Sequence, residues 1–115
     1  MPDARRHPTD ADREAAARPV IAALLRALET RDPAAVTALL RDDAAWLSGD
    51  GTDAGDAARG RARAFLADDQ GRRWADAQQR GAHAVLRWGA TTTGRVGALV
   101  IEIRGGTVVL ICEVP

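Results

Sequence analysis

Val96-Gly97-Ala98-Leu99-Val100-Ile101-Glu102-Ile103-Arg104-Gly105-Gly106-Thr107-Val108-Val109-Leu110-Ile111-Cys112-Glu113-Val114 is the stretch that decides the fold. Two runs rich in β-branched residues flank Gly105-Gly106, and both glycines tolerate the positive φ of a two-residue hairpin turn. Strict alternation from that turn pairs Ile103 with Val108, Ile101 with Leu110 and Leu99 with Cys112. All six are apolar, so this face is expected to pack on helices, with Cys112 a buried, inert thiol. The opposite face carries Val100, Glu102, Val109, Ile111 and Glu113. That is greasy for free solvent and points to a homodimer interface, with a merely mixed surface as the alternative.

Toward the N-terminus a second hairpin is expected, with Trp74–Gln79 and Ala82–Trp88 flanking an Arg80-Gly81 turn. One side of it carries Ala75, Ala77, Ala82, Ala84, Leu86 and Trp88, small enough in the main to line a hollow. The other side carries Trp74, Asp76, Gln78, His83, Val85 and Arg87. Gly89–Gly94 reads as the loop between the hairpins. Before Arg72 the apolar period is 3.6 instead of 2. Thr9 with Asp12 caps a helix running to about Glu29, with Val20, Ile21, Leu24, Leu25 and Leu28 on one face and Pro19 kinking it or starting its main body. Asp32-Pro33 starts a second helix that Asp42-Asp43 ends. Ala44–Ser48 reads as a short strand, and Gly49–Gly55 as a flexible loop suited to a mobile rim or lid. A third helix covers Asp56–Asp69. The expected class is α+β, three N-terminal helices packed on an antiparallel sheet.

The 115 residues suit one domain, with Met1–Pro8 a flexible tail and 9–115 the folded part. Sixteen basic residues, all Arg, balance sixteen acidic ones, which gives no electrostatic footprint for nucleic acid or an anionic membrane. The absence of Lys excludes Schiff-base chemistry, and the single cysteine excludes an internal disulfide or a cysteine zinc cluster. The longest apolar run, Gly97–Ile101, is strand-length, and the polar Met1–Arg18 stretch has no secretory core. A cytoplasmic setting is expected.

The order of elements resembles the nuclear transport factor 2-like superfamily, in its SnoaL-like branch. The resembling pieces are Val20–Leu28 with Arg31-Asp32-Pro33, Leu39–Gly51, Gly60-Arg61 opening the third helix, Gly81-Ala82 opening a strand, and Val100–Gly106. The pattern is similar to the SnoaL-like domain of extracytoplasmic-function sigma factors and to polyketide cyclases. The resemblance implies a cone-shaped, cystatin-like α+β barrel, its curved sheet wrapping three helices around a cavity at the wide end. It also implies dimers through the sheet and cofactor-free acid–base enzymes: cyclases, isomerases or epoxide-opening hydrolases. Non-catalytic sensor modules belong to the same family. The chain has no Tyr for the isomerase pattern and only part of the epoxide hydrolases' Asp–Arg–Asp relay.

His83 is the one imidazole inside the folded part, since His7 sits in the tail. In the expected register Asp76 is its diagonal neighbour, so an Asp76-oriented His83 is the candidate general base, and Arg87 the candidate anion stabiliser. A solvated sheet surface is the plain alternative. Trp46, Trp74 and Trp88 are candidate substrate-binding walls for a flat apolar molecule, or simply core. The register places Trp74 and Trp88 on opposite faces. No metal and no cofactor are expected. The expected partners are a small organic molecule and a second copy of the chain, with no nucleic acid and no membrane. The reading is a small-molecule acid–base enzyme of cyclase, isomerase or epoxide-opening type; the alternative is a non-catalytic ligand-binding or protein-interaction module.

Overall fold

A computed structural model describes residues 9–68 and 70–115; the Met1–Pro8 tail, with His7, lies outside the described residues. Helix α1 spans Asp10–Glu29, opened by the capping box in which Thr9 and Asp12 satisfy each other's backbone N–H. Pro19 sits exposed inside it without ending it. Helix α2 is Pro33–Leu39, its Asp32 cap accepting from the Ala35 N–H. Strand β1 is Leu40–Ser48, β2 Gly51–Ala54, and helix α3 Asp56–Ala67. Then follow β3 (Arg72–Trp74), β4 (Gln78–Arg80), β5 (His83–Ala90), β6 (Val96–Arg104) and β7 (Thr107–Val114). No helix among the described residues is long and apolar enough to cross a membrane.

The strands make one curved sheet in the order β2-β1-β7-β6-β5-β3, with β4 also paired to β5. The α+β class holds, and the sheet is mixed, because β1 runs parallel to β7. The expected loop at 49–55 is instead a turn followed by β2, with Trp46 opposite Asp53 and Ser48 opposite Gly51. Backbone pairing on β1 offsets the poor strand propensity of Gly-Thr-Asp-Ala, so this segment is a sheet edge and not a lid.

Two one-residue bulges set the faces. On β7 the pairing moves from Ile103–Val108 to Glu102–Leu110, leaving Val109 unpaired. A bulge inverts the alternation beyond it. Ile111 therefore joins Leu99 and Ile101 in the core, Glu113 turns to the same concave face, and Leu110 and Cys112 move to the convex face. Cys112 is half-buried opposite Val100 there, not sealed against helices. Between Trp74–Trp88 and Gln78–Val85, three residues on one side answer two on β5, so Ala75-Asp76-Ala77 holds an extra residue. The turn itself is Gly81-Ala82, one residue later than the spacing predicts.

The core joins both layers. Ala17, Val20, Ile21, Leu24, Ala27 and Leu28 of α1 and Val36 of α2 are buried against Ala84, Leu86, Leu99, Ile101, Ile103, Val108 and Ile111. Around the aromatic residues the interior is packed: the cleft ringed by Leu28, Arg31, Phe65, Leu66, Arg72 and Trp74 measures about 10 Å³. Aromatic rings do the filling that the alanine-rich side had suggested would be left open.

Candidate functional site

Toward the C-terminal end of β7 the concave face turns polar. Trp46 is 1% exposed, and its indole N–H donates to Glu113 Oε2 at 2.6 Å. Arg61, one turn before Phe65 on α3, brings Nη2 to the same oxygen at 3.3 Å. Asp50 lies 4.0 Å from Arg61 Nη2 in the β1–β2 turn. Ser48 and Asp53 share the concave face with Trp46, by the alternation of β1 and its pairing with β2. Glu113 thus carries two donors on Oε2, whereas Oε1 has no partner among the described residues. A carboxylate held through one oxygen presents the other in a fixed place, which is what a general base needs. The buried Nε of Arg61 likewise has no hydrogen-bond partner among the described residues.

The three tryptophans converge. Trp46, Trp74 and Trp88 lie 5.6, 6.2 and 6.5 Å from the Phe65 ring. Trp74 and Trp88 are direct cross-strand partners on one face, which corrects the opposite-face register. The guanidinium of Arg72 sits 3.9 Å from the centre of Phe65 and 4.7 Å from that of Trp88, and donates to the Phe65 and Asp68 carbonyls. Such stacking of a desolvated cation on rings rigidifies the cluster.

The expected His83–Asp76–Arg87 constellation is not assembled. His83 lies on the convex side, and its Nε2 is 3.0 Å from Glu102 Oε1. Asp76 is exposed in the break between β3 and β4, four residues before the Arg80 that pairs with His83. Arg87 is exposed on the convex face opposite Ala98. The turn at Gly81-Ala82 accounts for the separation, because it sets Arg80 instead of Gln78 opposite His83. Glu113 and Arg61 were not among the expected site residues. An acidic residue closing an apolar strand was the available signal for Glu113, but strict alternation points it outward.

The ionic groups of the irregular first half of β1 stand apart from this cluster. The side-chain hydrogen bond between Arg41 and Asp43 raises the Arg41 guanidinium and lowers the Asp43 carboxyl from their ordinary values. A depressed carboxyl stabilises the fold above its unfolded-state pKa, and that contribution is lost as pH falls through the folded value. Both side chains are exposed, so Asp43→Asn is expected to leave the melting temperature at neutral pH almost unchanged in a thermal scan.

No protein-family model matches the sequence, and no curated protein matches it. Among solved structures the chain is similar to a steroid delta-isomerase from Pseudomonas aeruginosa, with a TM-score of 0.76, 21% identity and coverage of 88% of this chain and 80% of that one. It is similar to a nuclear transport factor 2-like protein of unknown function from Burkholderia xenovorans, at 0.68, 21%, 88% and 83%. A candidate polyketide cyclase from Xanthomonas campestris gives 0.64, 17%, 88% and 90%. These likenesses are of fold: three helices against a strongly curved sheet.

Proposed function

We propose, from the nuclear transport factor 2-like fold that the chain has, that it binds a small organic molecule at the polar end of the concave face and carries out cofactor-free acid–base chemistry of the isomerase or cyclase type. The observation that carries this reading is the Trp46 N–H bond of 2.6 Å to Glu113 Oε2, which leaves Oε1 open. In the proposed step Oε1 takes a proton from the carbon between a carbonyl and a double bond, giving a dienolate, and the resulting acid returns the proton to the γ-carbon as the double bond moves into conjugation. Arg61 opposes the charge that develops on the carbonyl oxygen. The apolar body of the molecule lies against the half-buried Trp88 and Trp74, two and three strands away from β7. His83, Asp76 and Arg87 have no role in this step. A cytoplasmic setting fits the lone thiol.

The test uses a cyclic β,γ-unsaturated ketone, whose conversion to the conjugated enone is followed by absorbance. Turnover by the native chain should fall by roughly 100-fold or more in Glu113→Gln, in the range of a lost general base, with unchanged circular dichroism. Equal turnover in both proteins, or none in the native chain, would overturn the reading. The packed interior favours a second reading, a ligand-binding or protein-interaction module without turnover. Binding seen by tryptophan fluorescence together with no product would select it.

Self-association through the convex face belongs to the same proposal. Leu47, Val85, Val100, Leu110 and Cys112 are half-buried there, and Val114 is exposed. Monomers seldom leave so continuous an apolar strip open. Sedimentation should give a dimer for the native chain and a monomer for Val100→Glu; a native monomer at micromolar concentration would refute the dimer.

A further inference from the structure

We propose that the groove between the N-terminal half of α1 and the turn end of β5 and β6 is a second binding site, suited to a small organic acid with an apolar body. The groove measures about 680 Å³, within the range of small-molecule sites. Ala16 and Ala17 of α1, Ala82 of the β4–β5 turn and Ile103 of β6 give it an apolar surface, while Arg13 stands on the helix wall and Arg104 on the sheet wall. It shares no residue with the Trp46–Glu113–Arg61 cluster. Ile103 is four residues along β6 from Leu99, about 13 Å at strand spacing.

The choice of an acid follows from which groups are already engaged. The carboxylate of Glu102 is 19% exposed and bound on both oxygens, Oε1 by His83 Nε2 at 3.0 Å and Oε2 by Arg104 Nε at 2.8 Å. Asp12 is engaged by the Thr9 backbone N–H in the capping box. Both carboxylates that line the groove are therefore already engaged. The donors are not: the terminal nitrogens of Arg104 have no partner among the described residues, and Arg13 meets only Asp10, at 3.5 Å through Nη1. Arg104 is anchored through Nε, so its forked end is held at the rim with the geometry that takes a carboxylate in two parallel hydrogen bonds. A molecule entering must bring acceptors and an apolar surface. An adjoining trough of about 470 Å³ past the β4–β5 turn is polar, with Asp10, Glu14, Gln79 and Arg80 on its walls, so the apolar body of the ligand stays within the groove.

The experiment titrates the full chain with octanoate and, in parallel, with 1-octanol, following backbone amide resonances. Octanoate should move the amides of residues 16–17, 82–83 and 103–106, and 1-octanol should bind at least tenfold more weakly. Arg104→Ala should weaken octanoate at least tenfold. Ala16→Trp should block it by filling the groove with every charge retained; both positions are exposed, so each variant should keep the native spectrum elsewhere. Glu113→Gln should leave octanoate binding unchanged, which separates this site from the proposed catalytic one. Equal binding of octanoate and 1-octanol, shifts centred on Trp46 and Glu113, or no shifts at all would each overturn the proposal.

Discussion

Trp46→Ala is expected to lower the unfolding free energy by about 3–5 kcal/mol, the usual cost of truncating a buried aromatic. Small domains hold only about 5–15 kcal/mol in total, so this one change removes a large share of the stability. The ring is 1% exposed, pairs beside Ile111 across the parallel β1–β7 junction, and lies 5.6 Å from Phe65. It also holds Glu113. Trp46→Phe separates the two roles, because it keeps most of the volume and deletes the N–H. Leaving a buried polar group unsatisfied costs about 1–3 kcal/mol, and the Glu113 side chain, 25% exposed, can take water in place of the indole. The phenylalanine variant should therefore sit at the low end of that range. Urea unfolding of both variants checks the order. Equal losses would mean that filling the centre contributes little beside the hydrogen bond.

The helices were legible because their signals are local. Thr9 with Asp12 and Asp32 with Pro33 mark starts by cap chemistry, and Val20 to Leu28 marks a buried face by period. The Gly105-Gly106 turn was legible because both residues need positive φ there, at +57° and +79°. The faces of the strands beyond the bulges were not. Nothing in the residue type of Val109 announces that it leaves the ladder, yet that one slip exchanges Leu110 and Cys112 for Ile111 and Glu113 on the inner face. The turn at Gly81-Ala82 likewise separates Asp76 from His83, and the extra residue in Ala75–Ala77 aligns Trp74 with Trp88. The parallel pairing of β1 with β7 was equally invisible, because it joins Trp46 to Ile111 over a long separation and no local pattern records it. The candidate site depends on those non-local facts, which is why the fold class was readable and Glu113 was not.

Gly97→Ala decides between two opposing effects at one strand position. Replacing glycine ordinarily stabilises by about 0.4–1 kcal/mol, through the entropy of the unfolded chain. Gly97 has no positive φ to protect, so that gain is available in principle. Space opposes it. A Cβ there would stand 2.5 Å from Trp88 Cζ2 and 2.8 Å from Cε2, with Trp88 its direct cross-strand partner. The ring has nowhere simple to retreat, since Phe65 and the Arg72 guanidinium hold its other surroundings. Overpacking of this kind costs about 1–3 kcal/mol and outweighs the entropic gain. Gly89→Ala is the control: it lies on the same strand as Trp88, has open space around its Cβ, and should be neutral or slightly stabilising. Thermal unfolding of the two variants should move in opposite directions. Trp88→Phe introduced into Gly97→Ala should recover part of the loss, because the smaller ring vacates the contested volume and the two sites couple. A stabilised Gly97→Ala, or no recovery in the double variant, would show that Trp88 does not rest on the Gly97 backbone.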